Sequence, residues 1–260
     1  MMKNFFRALE ACGARHMLIS GQATVLYGAS TFSEDVDLWV DPQPSNWRKV
    51  LNALRESKAL VYKLTPSLEP GHVACGHGFH FTLANEDSSH GVDYLDIMGV
   101  LPRVGAFGEC FGRARYFDTD WGRIPVIHPH DLVEIKKTRR LADYAVISAL
   151  VRLTCQETLS REEWSWGLHQ TFEAGDMIDL WRRGLPQWRE TLISKRSSLK
   201  ILMTKKISAA VERELSAELM VEIEALRERD RKYWRPIIAE LKQMQQRGKL
   251  LEAGTPVKIR

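Results

Sequence analysis

An Asp-x-Asp pair at the head of an apolar run constrains this chain more than any other sequence feature. Asp35 and Asp37 flank Val36, and the apolar run continues to Val40. On a β-strand, residues two apart project from one face with Cα atoms roughly 6.5 Å apart. Two carboxylates about 4 Å apart repel by about 4 kcal/mol at an effective dielectric of 20, so the pair requires a cation. The pattern predicts a Mg²⁺ site completed by substrate phosphates; a solvated turn followed by an edge strand is the alternative.

The residues just upstream predict a phosphate-binding turn. His16 to Ile19 are typical of a short strand that enters the small-residue turn Ser20-Gly21. Gln22 to Tyr27 then favour a short helix that ends at Gly28, a common helix-stop residue. Because backbone N–H groups at such a turn are available to anions, the turn is expected to hold phosphate oxygens beside the metal site.

These motifs together resemble the nucleotidyltransferase superfamily that includes DNA polymerase beta. The resemblance rests on Ser20-Gly21-Gln22-Ala23, on Gly28, and on the Ser33-x-Asp35-x-Asp37 segment. It is strongest to a small prokaryotic branch that contains toxins of abortive-infection and toxin–antitoxin systems. In this chain Ser20 replaces the first glycine of the family turn, and Thr31 stands where the family often has arginine. The resemblance implies nucleotide binding by Ser20, Gly21 and Ser33.

The family requires a third carboxylate on a neighbouring strand. In the segment from Val92 to Met98, strand alternation puts Asp96 on one face and Asp93 on the other, so only one of them can join the metal site. Asp96 is preferred because its surroundings resemble the family's Asp-Val-Met segment. Asp93 remains the alternative, and a half-exposed structural strand is the other interpretation of both residues.

A second block matches the family after residue 124. Ile124 to Leu132 predict a strand, a proline break and a helix start. The resemblance implies that Lys136 or Lys137 contacts the nucleotide phosphates, and that Arg140 and Asp143 order a helix pair. The alternative is that these cations form a solvated helix face.

The resemblance implies Mg²⁺-dependent transfer of a nucleoside monophosphate from a nucleoside triphosphate (NTP). Asp35, Asp37 and Asp96 would hold two Mg²⁺ ions, an acceptor hydroxyl would attack the α-phosphate, and pyrophosphate would leave. The acceptor stays open among tRNA, a protein side chain and a small molecule such as an antibiotic. A toxin with an antitoxin partner is one expectation, and a non-catalytic nucleotide-sensing or antitoxin-type binding protein is the rival.

The chain is expected to form an α/β (α+β) nucleotidyltransferase domain with a mixed sheet over residues 1–128 and an all-α domain over 129–260. Helical periodicity covers 141–153, 164–181 and 207–241, with breaks expected at Pro186 and over 154–163. The sequence has no run of 18 apolar residues and no apolar leader, and its four cysteines are scattered. A cytoplasmic protein with reduced thiols and no membrane contact is therefore expected.

Two further segments suggest ligands and are interpreted more simply. His72, Cys75, His77 and His80 do not match the paired spacing of structural zinc sites, so a loop facing the substrate is preferred to zinc. Residues 186–260 carry 17 lysines and arginines against 10 acidic residues, with aromatics among the cations near Trp234. This stretch suits a nucleic-acid backbone, but the interleaved glutamates favour a solvated amphipathic helix.

Overall fold

The structure, a computed structural model, describes residues 2–85, 91–157 and 160–258. It is mixed α/β, with a seven-stranded mixed sheet followed by a long helical stretch. The strands are β1 His16–Ile19, β2 Val36–Val40, β3 Leu60–Val61, β4 Thr65–Pro66, β5 Gly78–Ala84, β6 Val92–Met98, β7 Arg115–Thr119, β8 Gly122–Val126 and β9 Leu250–Leu251. The first helices are α1 Met2–Ala11, α2 Ser20–Leu26, α3 Pro44–Glu56, α4 Pro70–Ala74, α5 Phe107–Phe111 and α6 Pro129–Lys136. The later helices are α7 Ala142–Glu157, α8 Arg161–Gln170, α9 Ala174–Arg183, α10 Pro186–Glu190, α11 Ser197–Thr204 and α12 Ala209–Gln246.

The main sheet has the order β3-β5-β6-β2-β1-β8-β7. β2 runs parallel to β6, and β1 runs parallel to β8. The other neighbouring pairs, β1–β2, β3–β5, β5–β6 and β7–β8, are antiparallel. β4 and β9 form a separate two-stranded ladder. The mixed sheet expected from the sequence is confirmed.

Strand alternation separates a buried face of the sheet from a polar patch. Leu38, Ile97 and Phe79 are adjacent on neighbouring strands and fully buried. Trp47 of α3 packs on this side, with its ring centroid 4.8 Å from that of Phe79. Since the next residue along each strand projects from the opposite face, Asp37 points away from this core.

Two compact units divide the chain. The first contains residues up to Leu26, Ser30–Ile135 and Tyr233–Arg260, and the second contains Tyr27–Ala29 and Lys136–Lys232. The division expected from the sequence was 1–128 and 129–260, which assigned the last part of the chain to the helical domain. In the structure, the described residues from Tyr233 onward belong to the unit that contains the sheet. β9 supplies one reason, because Leu251 pairs with Thr65 of β4.

The helical unit follows the expected periodicity with one internal break. The segment 164–181 is divided between α8 and α9, and Thr171 has an extended conformation with ψ 146°. The N–H of Phe172 donates to Ser148 Oγ on α7 at 2.9 Å. The serine hydroxyl thus takes the place of the carbonyl oxygen that this N–H would bind if the helix continued. Among the described residues, no helix combines the length and the apolar character needed to cross a bilayer.

Candidate active site

Two of the three candidate carboxylates lie side by side on neighbouring strands. β2 and β6 pair in a parallel register that aligns Asp37 with Asp96. Residues aligned in this way project from the same face of a sheet, so both carboxylates belong to one patch. Each residue is partly accessible to solvent. This juxtaposition depends on pairing between distant parts of the sequence.

Asp96 has a histidine partner on the next strand. β5 and β6 align His80 with Asp96, and His80 Nδ1 lies 2.7 Å from Asp96 Oδ1. The two side chains retain 23% and 24% of their exposure, respectively, so the pair lies at an accessible surface. The hydrogen bond fixes one carboxylate oxygen and orients the other away from the imidazole.

Asp93, the alternative third carboxylate, projects from the opposite face. It lies an odd number of positions from Asp96 on β6, and its Oδ1 accepts a hydrogen bond from Asn85 Nδ2 at 2.6 Å. It shares that side of the strand with Leu95, which is fully buried. In this fold Asp93 therefore does not lie beside Asp37.

Asp35 lies one residue before β2 and is exposed. The loop that carries it is tied to α2, because Gln22 Nε2 donates to the carbonyl oxygen of Ser33 at 2.6 Å. Ser33 Oγ in turn donates to the carbonyl oxygen of Asp35 at 3.3 Å. Helix α2 thus helps to set where the Asp-x-Asp segment enters the sheet.

Ser20 and Gly21 connect β1 to α2 and form the first residues of that helix. Ser20 has φ 58°, in the left-handed region that favours glycine. A Cβ at Gly21 would lie 2.1 Å from Ser33 Oγ, so only glycine fits against that side chain. Since Ile19 aligns with Asp37, the turn follows β1 at the same edge as the Asp-x-Asp segment. Ser20, Gly21 and Ser33 therefore form one local cluster.

Lys136, the predicted phosphate ligand, is paired within the helical unit. Its Nζ donates to Asp143 Oδ1 at 3.1 Å, and Asp143 also accepts from Thr138 Oγ1. Arg140 Nε approaches Asp143 Oδ2 at 3.8 Å. Lys137 is buried, with 8% exposure. Asp143 thus organises this segment, and a phosphate would have to compete with it for the amine of Lys136.

The histidine-rich segment is dispersed among different partners. His72 Nδ1 lies 2.9 Å from the carbonyl oxygen of Ser67, and His77 Nε2 lies 3.1 Å from Glu240 Oε2 on α12. His80 contacts Asp96 instead, as described above. Within residues 2–85, 91–157 and 160–258, no three His, Cys, Asp or Glu side chains are grouped to hold a metal ion.

The basic stretch of α12 is extensively paired with its own glutamates. Glu224 binds both Arg227 and Arg231, at 2.5 and 3.2 Å, and Glu228 binds Arg231 at 3.2 Å. The glutamate–arginine pairing expected for a solvated amphipathic helix is confirmed, at spacings of three and seven residues rather than four. These pairs reduce the positive charge that the stretch presents.

Sequence reasoning misplaced or missed two residues on this face: His80, which it expected in a loop facing the substrate rather than on β5, and Tyr62. His80 alternates with Phe79 and Phe81, which are fully buried, so its place on the polar face followed from strand periodicity. Its pairing with Asp96 depends on the β5–β6 register, which the local sequence does not reveal. Tyr62, just after β3, is the other missed residue, because a two-residue edge strand gives almost no periodic signal.

Neither a scan against protein-family models nor a search of the curated proteins finds a match for this chain.

Proposed function

We propose that this chain is a Mg²⁺-dependent nucleotidyltransferase, with a nucleotidyltransferase fold, that moves a nucleoside monophosphate from an NTP to an acceptor hydroxyl. The observation that carries the proposal is the alignment of Asp37 with Asp96 on parallel strands, at the edge where the Ser20-Gly21 turn begins α2. Because Asp37 and Asp96 lie on two paired strands, they bring oxygen ligands from separate parts of the chain to one patch.

The donor chemistry suits magnesium. Mg²⁺ usually retains several waters and binds one or two carboxylates together with substrate phosphates, so it does not require a protein cage. Asp37 and Asp96 would supply carboxylates from the strands, and Asp35 would supply one from the adjoining loop. When bound, magnesium supplies neutralisation of phosphate charge and stabilisation of the attacking and leaving oxygens.

The other polar groups have roles that follow from their contacts. The backbone at Ser20 and Gly21 offers N–H donors to the triphosphate, and Ser33, packed on Gly21, adds a hydroxyl. His80 orients the Asp96 carboxylate through the 2.7 Å hydrogen bond. Lys136 would contact a phosphate only after exchanging its partner Asp143.

The resemblance to the toxin branch extends the proposal to the protein's setting. A cytoplasmic toxin that modifies tRNA or a protein, under the control of an antitoxin partner, fits that resemblance. A small-molecule acceptor such as an antibiotic uses the same catalytic chemistry.

A non-catalytic nucleotide-binding or antitoxin-type protein is the second candidate. The hydrogen bond from His80 to Asp96 favours it, because a carboxylate oxygen engaged at 2.7 Å is less available to a metal. Such a protein would bind NTPs without releasing pyrophosphate, whereas an enzyme would release it.

The test is incubation of the purified full chain with each α-phosphate-labelled NTP, Mg²⁺, and cellular RNA, protein and small-molecule fractions. We expect one fraction to acquire label, with stoichiometric pyrophosphate release, and EDTA to abolish both. Tight NTP binding with no label and no pyrophosphate would reject the enzyme and support the second candidate. Asp37→Asn and Asp93→Asn are a matched pair of variants, because they make the same chemical change on opposite faces of the sheet.

A further inference from the structure

Two tyrosines lie on the same face of the sheet as the carboxylates, toward edge strand β3. The N–H of Tyr62 donates to the carbonyl oxygen of His80 at 2.9 Å, which extends the β3–β5 pairing by one residue. Tyr62, His80, Asp96 and Asp37 therefore follow one another across four neighbouring strands. Tyr94 precedes Asp96 by two residues and shares its face.

The two aromatic rings are in contact and partly accessible. The centroids of Tyr62 and Tyr94 are 4.9 Å apart, and their planes are inclined by 49°. Tyr62 is 39% exposed. Because Tyr94 shares a face of β6 with Asp96, the aromatic pair lies on the same face of the sheet as the carboxylates.

A cation accompanies the pair. Lys63 Nζ lies 5.0 Å from the centroid of the Tyr62 ring, which is within cation–π distance. Lys63 is exposed, and its flexible stem allows the ammonium to leave the ring for a phosphate oxygen. The ring of Tyr62 can stack on the base of a nucleotide, and the ammonium of Lys63 can bind its phosphate.

The backbone holds Tyr62 in place from both sides. Thr65 Oγ1 accepts from the N–H of His80 at 3.0 Å, which ties the segment after Tyr62 to β5. On the other side, the N–H of Val61 donates to the carbonyl oxygen of Thr255 at 2.9 Å. Because the backbone around Tyr62 is already ordered, little conformational freedom of this segment is lost when a ligand stacks on the ring.

We propose that Tyr62 and Tyr94 bind the acceptor, and that this acceptor is the unpaired end of a single-stranded nucleic acid. The inference rests on the proposed function, because it assigns the triphosphate to the Ser20-Gly21 turn on the β1 side of the carboxylates. An in-line displacement needs the acceptor on the opposite side, which is the side of β6, β5 and Tyr62. Aromatic rings stack on any base, so the site selects an exposed base and tolerates its sequence.

Binding of a fluorescent single-stranded RNA oligonucleotide with a free 3′-hydroxyl, measured by anisotropy without NTP or Mg²⁺, tests the inference. Tyr62→Leu is expected to raise the Kd about 5- to 100-fold, which corresponds to the stacking of one base. Tyr62→Phe, which keeps the ring, is expected to bind like the unaltered chain. Tyr94→Leu provides a second variant if Tyr62→Leu lowers the unfolding temperature.

Tyr116 provides a matched control at the other edge of the sheet. It is 52% exposed, and Arg123 Cζ lies 5.4 Å from the centroid of its ring. Tyr116→Leu is expected to leave the Kd unchanged. Equal losses in Tyr62→Leu and Tyr116→Leu, or no RNA binding by the unaltered chain, would overturn the inference.

A second measurement separates this inference from the proposed function. In the transfer assay, Tyr62→Leu is expected to raise the KM for RNA at least 5-fold while the KM for NTP stays the same. Transfer to a protein or a sugar, or an unchanged KM for RNA, would overturn the inference and leave the nucleotidyltransferase proposal intact. If no acceptor is labelled, the proposed function fails, and the RNA-binding comparison still decides whether the tyrosines bind nucleic acid.

Discussion

The sheet unit and the helical unit each contain a hydrogen-bonded side-chain pair with the same contact distance, but the two pairs lie in different surroundings. His80 and Asp96 are 2.7 Å apart on a polar sheet face, and both remain about a quarter exposed. Arg196 and Glu222 are also 2.7 Å apart, but they retain only 10% and 18% of their exposure. In addition, the Arg196 guanidinium donates to the carbonyl oxygens of Leu168 and Thr171, each at 2.7 Å.

The difference lies in what surrounds each charge. Arg196 bonds groups of α12 and of the C-terminal end of α8 and lies over the ring of Phe172, at 4.9 Å, so its donors are committed to the fold. The Asp96 carboxylate lies beside a second carboxylate, Asp37, on a face that solvent reaches. Burial makes the Arg196–Glu222 pair structural, whereas solvent access makes the His80–Asp96 pair suited to binding.

Loss of one carboxylate on the polar face of the sheet is expected to abolish activity almost completely. Asp37→Asn removes a negative charge without changing the side-chain shape, so we expect Mg²⁺-dependent transfer to fall roughly 10³-fold or more. Asp93→Asn, on the opposite face of β6, is expected to retain activity. Steady-state assays with α-labelled NTP measure both variants. Equal activity of Asp37→Asn and the unaltered chain would remove the proposed mechanism.

In the helical unit, removal of one buried partner is expected to affect folding. Arg196→Met leaves Glu222 and two carbonyl oxygens without their guanidinium donor, at an expected cost of about 3–5 kcal/mol. Glu224→Gln breaks the exposed pairs with Arg227 and Arg231 and is expected to cause no measurable change. Hydrogen exchange in α8 and α11 reports the stability of this unit directly. Similar protection in both variants would contradict the structural role of Arg196.

Replacing a glycine by alanine is expected to change the stability of the two units in opposite directions. Gly21→Ala forces a methyl group against Ser33 and is expected to destabilise the sheet unit by about 1–3 kcal/mol. Gly175, in the first turn of α9, has open space around it, so Gly175→Ala is expected to stabilise the helical unit by up to about 1 kcal/mol. Hydrogen exchange in β2 and α9 measures each effect. A loss of stability in both variants would contradict this prediction.

Titration of His128 affects stability only below about pH 6.5 and has no effect at neutral pH. Burial lowers the pKa of His128 to about 4, helped by His130 and Arg115. The N–H of His130 donates to His128 Nδ1 at 3.3 Å, which fits the neutral ring. As the pH falls from 6.5 toward 4, the unfolded chain binds a proton that the folded chain does not, so the free energy of unfolding decreases.

In His128→Gln, the free energy of unfolding is expected to fall less steeply between pH 6.5 and 4, as measured by urea unfolding. Above pH 6.5 the histidine is neutral in both states, and the slope there should not change. Parallel curves for the variant and the unaltered chain would show that His128 does not contribute. Arg196 offers no such pH dependence near neutrality, because arginine remains charged.

Local sequence patterns predicted much of the first unit. The strand at His16–Ile19 and the strand after Asp35 are confirmed, because each depends on periodicity within a few residues. The short helix is also present, but it already begins at Ser20, so Ser20 and Gly21 form its first residues rather than a separate turn before it. The predicted faces of β6 are confirmed for the same reason. The helical break at Thr171 was not predicted, since it depends on a hydroxyl of α7 that accepts from Phe172.

Local pattern alone was enough to place Asp35 and Asp37 on either side of an apolar residue at the start of a strand, and to place a short strand and a helix before them. Alternation and backbone sterics act locally, so those features need no knowledge of the fold. Local pattern did not reveal that Asp96 lies beside Asp37, that His80 bonds Asp96, or that Tyr62 extends the same line of residues. Strand order and register bring these distant residues together, and they are set by the burial of the whole sheet.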